Sequence, residues 1–122
     1  MKLLGDFFNV LETSVGANGF STVIELNPRH IVYTGHFPGH PVTPGVIQMQ
    51  IVHELLESHF GKKLTLHTMP YCKFLKVLDP NETPQLAVHT EFIGTHDLLN
   101  IKAWGEIDSV VFFRLNATYQ FG

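Results

Sequence analysis

The sequence predicts an α+β domain, and three observations carry that expectation. Residues 44–60 place apolar side chains at Val46, Ile47, Met49, Ile51, Val52, Leu55, Leu56 and Phe60. They cover nearly the whole circumference of a helix, so that helix must be buried on most sides. Beyond residue 62 the chain reads as extended runs separated by turn residues. The last run, "SVVFFRLNATYQF" (109–121), alternates Val111, Phe113, Leu115 and Ala117 with Phe112, Arg114, Asn116 and Thr118, a period of two that makes one face greasier than the other. A flat sheet would leave the outer side of such a helix wet. Either the sheet curls round it or a partner subunit closes over it.

The elements follow in order. Leu3, Leu4, Phe7, Phe8 and Leu11 recur at helical spacing and predict a short amphipathic helix over 2–12. Gly16 and Asn18-Gly19 mark a turn. "FSTVIEL" (20–26) has the β-branched content of a strand, and Asn27-Pro28 stops it. "HIVYT" (30–34) reads as a second extended piece. Thr43 is placed to cap the long helix over 44–60, and Pro44 to take its first position, where the missing N–H costs nothing. Gly61 and Lys62-Lys63 suit its C-terminal end. "KLTLHTMPYCKFLKVL" (63–78) is extended and broken or bulged near Pro70, and "DPNET" (79–83) is a turn. Strands follow over 84–95, 97–108 and 109–121, with polar connections at 95–97 and 108–109. No repeat or linker divides the chain, so residues 1–122 read as a single domain.

Composition narrows the function classes. A hydrophobic fraction of 44% and a charged fraction of 16% describe a globular chain, and so little charge suggests a surface covered by another subunit. The net charge is -3, and the 8 Lys and Arg residues are scattered, so no basic footprint for nucleic acid exists. The only cysteine, Cys72, excludes an intrachain disulfide. Its apolar surroundings read as those of a small buried residue rather than a nucleophile. Asp6 and Glu12 interrupt the apolar residues at the start, so no signal peptide is expected. No run reaches the ~18 apolar residues of a membrane span. The expected compartment is the cytoplasm.

The stretch "GHFPGHPVTPGV" (35–46), followed by the apolar helix, resembles the 3-hydroxyacyl-[acyl-carrier-protein] dehydratases of fatty acid synthesis. "LNPRHIVYTGHFP" (26–38) and "CKFLKVLDPNE" (72–82) are similar to segments of the same family. The resemblance implies a hotdog fold, a curved antiparallel sheet wrapped round one long helix. It also implies removal of water from a 3-hydroxyacyl thioester to give the trans-2-enoyl product. The acyl chain is carried on the phosphopantetheine of acyl carrier protein, and no metal or other cofactor is implied. The family builds its site between two chains. A homodimer or a multiple of dimers is therefore expected, or a heterodimer with a sister hotdog chain.

Residue by residue, the resemblance implies that His36 is the catalytic base, with an ordinary imidazole pKa near ~6.5 suited to neutral pH. Gly45 is the carbonyl donor, with Phe37, Pro44 and Val46 as further substrate-binding positions. The physical case for Gly45 stands beside the family's. It lies in the first turn of the helix, where free N–H groups favour developing negative charge. The family places a carboxylate fourteen residues after the histidine, and here that position is Gln50. One turn on, where those enzymes carry glutamine, stands Glu54. Residues i and i+4 share a helix face, so the two polar side chains are exchanged on one face.

Three readings stay open. Glu54 acts as the acid on a shifted substrate; or the site binds an acyl chain without dehydrating it; or Gln50 orients the hydroxyl while His40 or His53 gives the proton. A non-catalytic acyl-binding or partner subunit is thus the alternative to the enzyme, with thioester hydrolysis behind both. His36 and His40, separated by prolines, do not form a metal pair. His59, His67, His89 and His96 read as surface or structural residues.

Overall fold

The structure is a computed structural model that describes residues 2–34, 41–94 and 97–122. It contains β1 (Phe8–Gly16), β2 (Gly19–Leu26), a 3-10 turn (Ile31–Tyr33), α1 (Gly45–Phe60), β3 (Leu64–Phe74), β4 (Gln85–Gly94), β5 (Leu98–Ile107) and β6 (Val110–Phe121). The strands form a six-stranded sheet in the order β1-β2-β4-β5-β6-β3. Every neighbouring pair is antiparallel, so β1 and β3 are its edges.

One face of the sheet packs on α1. Ile24, Leu86, Val88, Leu99, Ile101, Ala103, Phe113, Leu115 and Tyr119 point into the same core as Ile47, Ile51, Val52, Leu55 and Leu56 of the helix. Each such helix side chain contributes about 1.5–3 kcal/mol by leaving water. The alternation expected for the last strand holds for Phe113, Leu115 and Ala117, which are buried, against exposed Arg114 and Asn116. Phe112 is also buried. The register with β5 slips between Gly105 and Glu106, and such a bulge re-aims the side chains beside it. The break expected near Pro70 is a double register shift of β3 against β6, between Leu66 and Thr68 and again between Thr68 and Tyr71. Asp108 (φ 52) and Ser109 (φ 67) form the tight β5–β6 connection. Both residues have the positive φ that a two-residue hairpin turn requires.

Four local expectations are corrected. Residues 2–12 are not a helix. Gly5 sits at φ 90, outside helical geometry, and the Leu3 carbonyl gathers the N–H groups of Asp6, Phe7 and Phe8 in one tight turn. The strand β1 then starts at Phe8 and finds its partners on β2. Leu3, Phe7 and Phe8 are buried, so the helix-like spacing reflects three apolar plugs set by a turn. Within 30–34 only the flanking His30 and Thr34 are extended, because the His30 ring nitrogen accepts from the Val32 N–H and winds Ile31–Tyr33 into a 3-10 turn. Thr43 does not cap α1. Its hydroxyl pairs with the Tyr33 hydroxyl at 2.7 Å, and Pro44 is the N-cap, with Gly45 the first helical residue. Cys72 is half-buried on the edge strand β3 rather than buried, and partial burial still pushes its thiol pKa up. At the other end of α1, Gly61 closes the helix at φ 64 and donates to the Glu57 carbonyl, as expected of a glycine there.

Two predictions follow from this packing. A Cβ at Gly105 would lie 2.5 Å from the Phe113 ring and 3.1 Å from Leu86, both fully buried. Gly105→Ala is therefore expected to lower stability by about 1–3 kcal/mol, read as a shift in urea midpoint at unchanged slope. Burial also pushes the hydroxyls of Tyr33 and Tyr119 up to about 12. An unfolded tyrosine titrates near ~10. Between these values the unfolded chain releases phenol protons that the folded chain keeps, so stability falls as pH rises through that window. The fall should be smaller in Tyr119→Phe when denaturant midpoints are compared across that pH range.

Candidate active site

The helix α1 is not apolar all round. Gln50, His53, Glu54 and Glu57 lie along one side of it and line a cleft of about 840 Å³. Leu4 and Leu64 close the cleft from the N-terminal turn and from the start of β3. His53 stands 3.4 Å from the Glu57 carboxylate, and Glu57 also accepts the Leu64 N–H at 2.8 Å. Helix, helix end and edge strand are thereby pinned together.

Glu54 is buried, with 7% of its surface exposed. A carboxylate there needs donors, and the N-terminal turn provides them. The Leu3 N–H reaches both oxygens, at 2.9 and 2.7 Å, and the Leu4 N–H reaches Oε1 at 2.8 Å. The Gln50 side chain donates its Nε2–H to Oε2 at 2.9 Å. Successive backbone N–H groups that converge on one anion form a nest, and the turn beside Gly5 shapes this one. The exchanged pair seen in the sequence is therefore a directly bonded pair. The lysine or histidine partner a buried Glu54 invites is replaced by main-chain donors. Nothing in the sequence marks Leu3 or Leu4 for this role, because the groups that serve are backbone. The glycine two residues after Leu3 is the only visible trace.

Gly45 occupies the first helical position, and its N–H and that of Val46 have no acceptor within the helix. The N–H groups of Ile47 and Gln48 instead reach back to the Pro44 carbonyl. The missing side chain of Gly45 has a visible use. A Cβ there would lie 2.6 Å from the ring of Phe74, which rests against the helix start from the end of β3. Phe74 had no place in the sequence reading. Pro44 is half-buried beside Gly45, and Val46 is 67% exposed. His36, Phe37 and His40 lie outside the described residues, as does His96.

The remaining described histidines have structural partners where partners are seen. His59 stacks on Phe20 with ring centres 4.2 Å apart. On the far face of the sheet, His89 bridges the Ser21 hydroxyl at 2.7 Å and the Glu106 carboxylate at 2.9 Å. That chain resembles a nucleophile relay. Its strands β2 and β4, however, each pair on both sides, so their N–H groups are taken by the ladders around Ser21 rather than left for an oxyanion. Among the described residues no helix is long and apolar enough to cross a membrane.

A six-stranded antiparallel sheet packed on a single long helix, with a polar strip on that helix facing a cleft, defines the hotdog class. A family model described as ApeI dehydratase, ApeI-like, matches residues 12–100, and the chain belongs to that family. Among curated proteins, the 3-hydroxyacyl-[acyl-carrier-protein] dehydratase FabZ of Chloroflexus aggregans is 31% identical over 96 residues, 73% of this chain and 65% of the relative. FabZ of Rickettsia canadensis is 33% identical over 66 residues, 48% of this chain and 45% of the relative. The chain thus spans 65% or less of the length of these curated relatives. Among solved structures, the dehydratase heterocomplex ApeI:P from Xenorhabdus doucetiae superposes with a TM-score of 0.75 at 18% identity, covering 92% of this chain and 96% of that one. A thioesterase from Haemophilus influenzae gives 0.65 at 10% identity, covering 94% and 78%. These structural likenesses establish the fold.

The nest predicts a stability effect. Glu54→Leu leaves the Leu3 and Leu4 N–H groups without their acceptor at a buried site. It is expected to cost about 1–3 kcal/mol. Amide hydrogen exchange at Leu3 and Leu4 should accelerate ahead of the β-sheet core.

Proposed function

We propose that this chain is a dehydratase-like lyase acting on a 3-hydroxyacyl chain held as a thioester on acyl carrier protein. The observation that carries this reading is the Gln50–Glu54 pair, bonded and lining a large cleft in a chain that matches a dehydratase family over residues 12–100. In this reading His36 takes the C2 proton. The N–H groups at the start of α1, that of Gly45 first, receive the charge that builds on the thioester carbonyl. Phe37, Pro44 and Val46 border the acyl thioester beside them. The C3–O bond breaks as the C2–C3 double bond forms. The proton returned by the imidazolium leaves with the hydroxyl as water. One histidine balances the proton ledger, so the carboxylate that the family places at position 50 is not required. Gln50 holds the hydroxyl, and no metal or redox cofactor takes part.

A second reading is favoured by a specific observation. Glu54 already receives the N–H groups of Leu3 and Leu4, and the edge strand β3 exposes Leu66, Tyr71 and Phe74 with Leu75 just beyond. A copy of this chain, or a sister hotdog chain, fits that edge by strand pairing. The ApeI:P neighbour is by its title a heterocomplex. In this second reading the chain completes a partner's site. Both readings keep the cytoplasmic setting of a carrier-protein substrate.

Incubation of the purified chain with 3-hydroxyacyl carrier protein should yield enoyl product, and His36→Ala should cut the rate by about 100-fold or more. Unchanged activity in His36→Ala would end the enzyme assignment. A chain that is inert alone but restores turnover when mixed with a sister hotdog chain identifies the partner role.

A further inference from the structure

The amide of Gln50 has a defined direction, and Glu54 supplies it. A carboxylate oxygen only accepts, so the end of the amide that meets it at 2.9 Å is the NH2. The amide is planar, and its carbonyl oxygen lies across Cδ from the nitrogen. Oε1 of Gln50 is therefore turned away from Glu54. Glu54 cannot swivel to release the amide, because the Leu3 and Leu4 N–H groups hold both its oxygens. That turn is itself fixed by the buried Leu3 and by the three N–H groups gathered on the Leu3 carbonyl.

We infer that Glu54 is a positioning residue rather than the acid: with the Leu3–Leu4 backbone it locks Gln50 so that the amide oxygen is presented as an acceptor. The site then selects thioesters that carry a hydrogen-bond donor at C3. This rests on the reading that the cleft takes a 3-hydroxyacyl thioester. A hydroxyl at C3 donates to Gln50 Oε1. A carbonyl oxygen at C3 faces it acceptor to acceptor, so the two oxygens repel and no hydrogen bond forms between them. An amide oxygen carries two lone pairs, so it accepts the hydroxyl beside any other donor it has. The inference explains the exchange of the two polar residues. Glutamine at position 50 with glutamate at 54 gives an oriented neutral acceptor. The reverse order places the charge itself against the hydroxyl.

The test is direct binding of two unreactive pantetheine amides of equal chain length, one bearing a 3-hydroxy and the other a 3-oxo group, measured by calorimetry on the whole chain. The wild type should bind the hydroxy compound at least about tenfold more tightly, the size expected when one hydrogen bond is exchanged for a contact between two acceptors. In Glu54→Gln the residue at 54 can donate as well as accept, a carboxylate no longer imposes the NH2-first orientation on Gln50, and the ratio should collapse to about threefold or less. Equal affinities in the wild type overturn the inference whether or not the variant folds. A folded Glu54→Gln protein that keeps the full ratio removes Glu54 from the mechanism. If neither compound binds the wild type, the acyl-thioester reading fails and the inference falls with it.

Discussion

The structure depends on keeping α1 dry. A helix with Ile47, Ile51, Val52, Leu55 and Leu56 buried loses stabilisation with each of those side chains that meets water. The sheet covers the larger part of it, from β2 round to β6, and register slips in β3 and between β5 and β6 bend the strands enough to do so. What the sheet leaves open, the N-terminal turn closes. Leu3, Phe7 and Phe8 fill the gap as buried side chains, while the Leu3 and Leu4 N–H groups serve the one carboxylate that the helix buries.

That division of labour gives the site its character. A polar strip on a buried helix is costly unless each group finds a partner, and here the partners are specific. Glu57 ties the helix to the start of β3, and Glu54 is gripped by main chain. Gln50 is bonded to Glu54 and His53 stands against Glu57, each pair one turn apart on the same helix. The geometry is rigid because backbone N–H groups, unlike long charged side chains, bring little conformational freedom to lose on binding.

The position of Phe74 against Gly45 links the start of α1 to an edge of the sheet. Phe74 ends β3, one of the two edge strands, and its ring occupies the space that a side chain at Gly45 would need. The start of the helix, where a thioester carbonyl would find its donors, is therefore framed by an aromatic ring that belongs to the exposed edge. Events at that edge and at the helix start are mechanically close.

Much of this was legible in the residues. The all-round apolar helix, the alternation in the last strand, the bulge near Pro70 and the glycine at the helix end follow from local pattern, since period and turn chemistry are properties of adjacent residues. The family motif and the exchange of Gln50 and Glu54 were equally visible. The N-terminal turn was not: Leu3, Phe7 and Phe8 have helical spacing, and only their packing against α1, with Gly5 at positive φ, settles the matter. Nor could the letters show that the Leu3 and Leu4 amides complete Glu54. Those donors are common to almost every residue type, so their use is decided by where the folded chain brings them, 51 and 50 positions away in sequence from the carboxylate they serve.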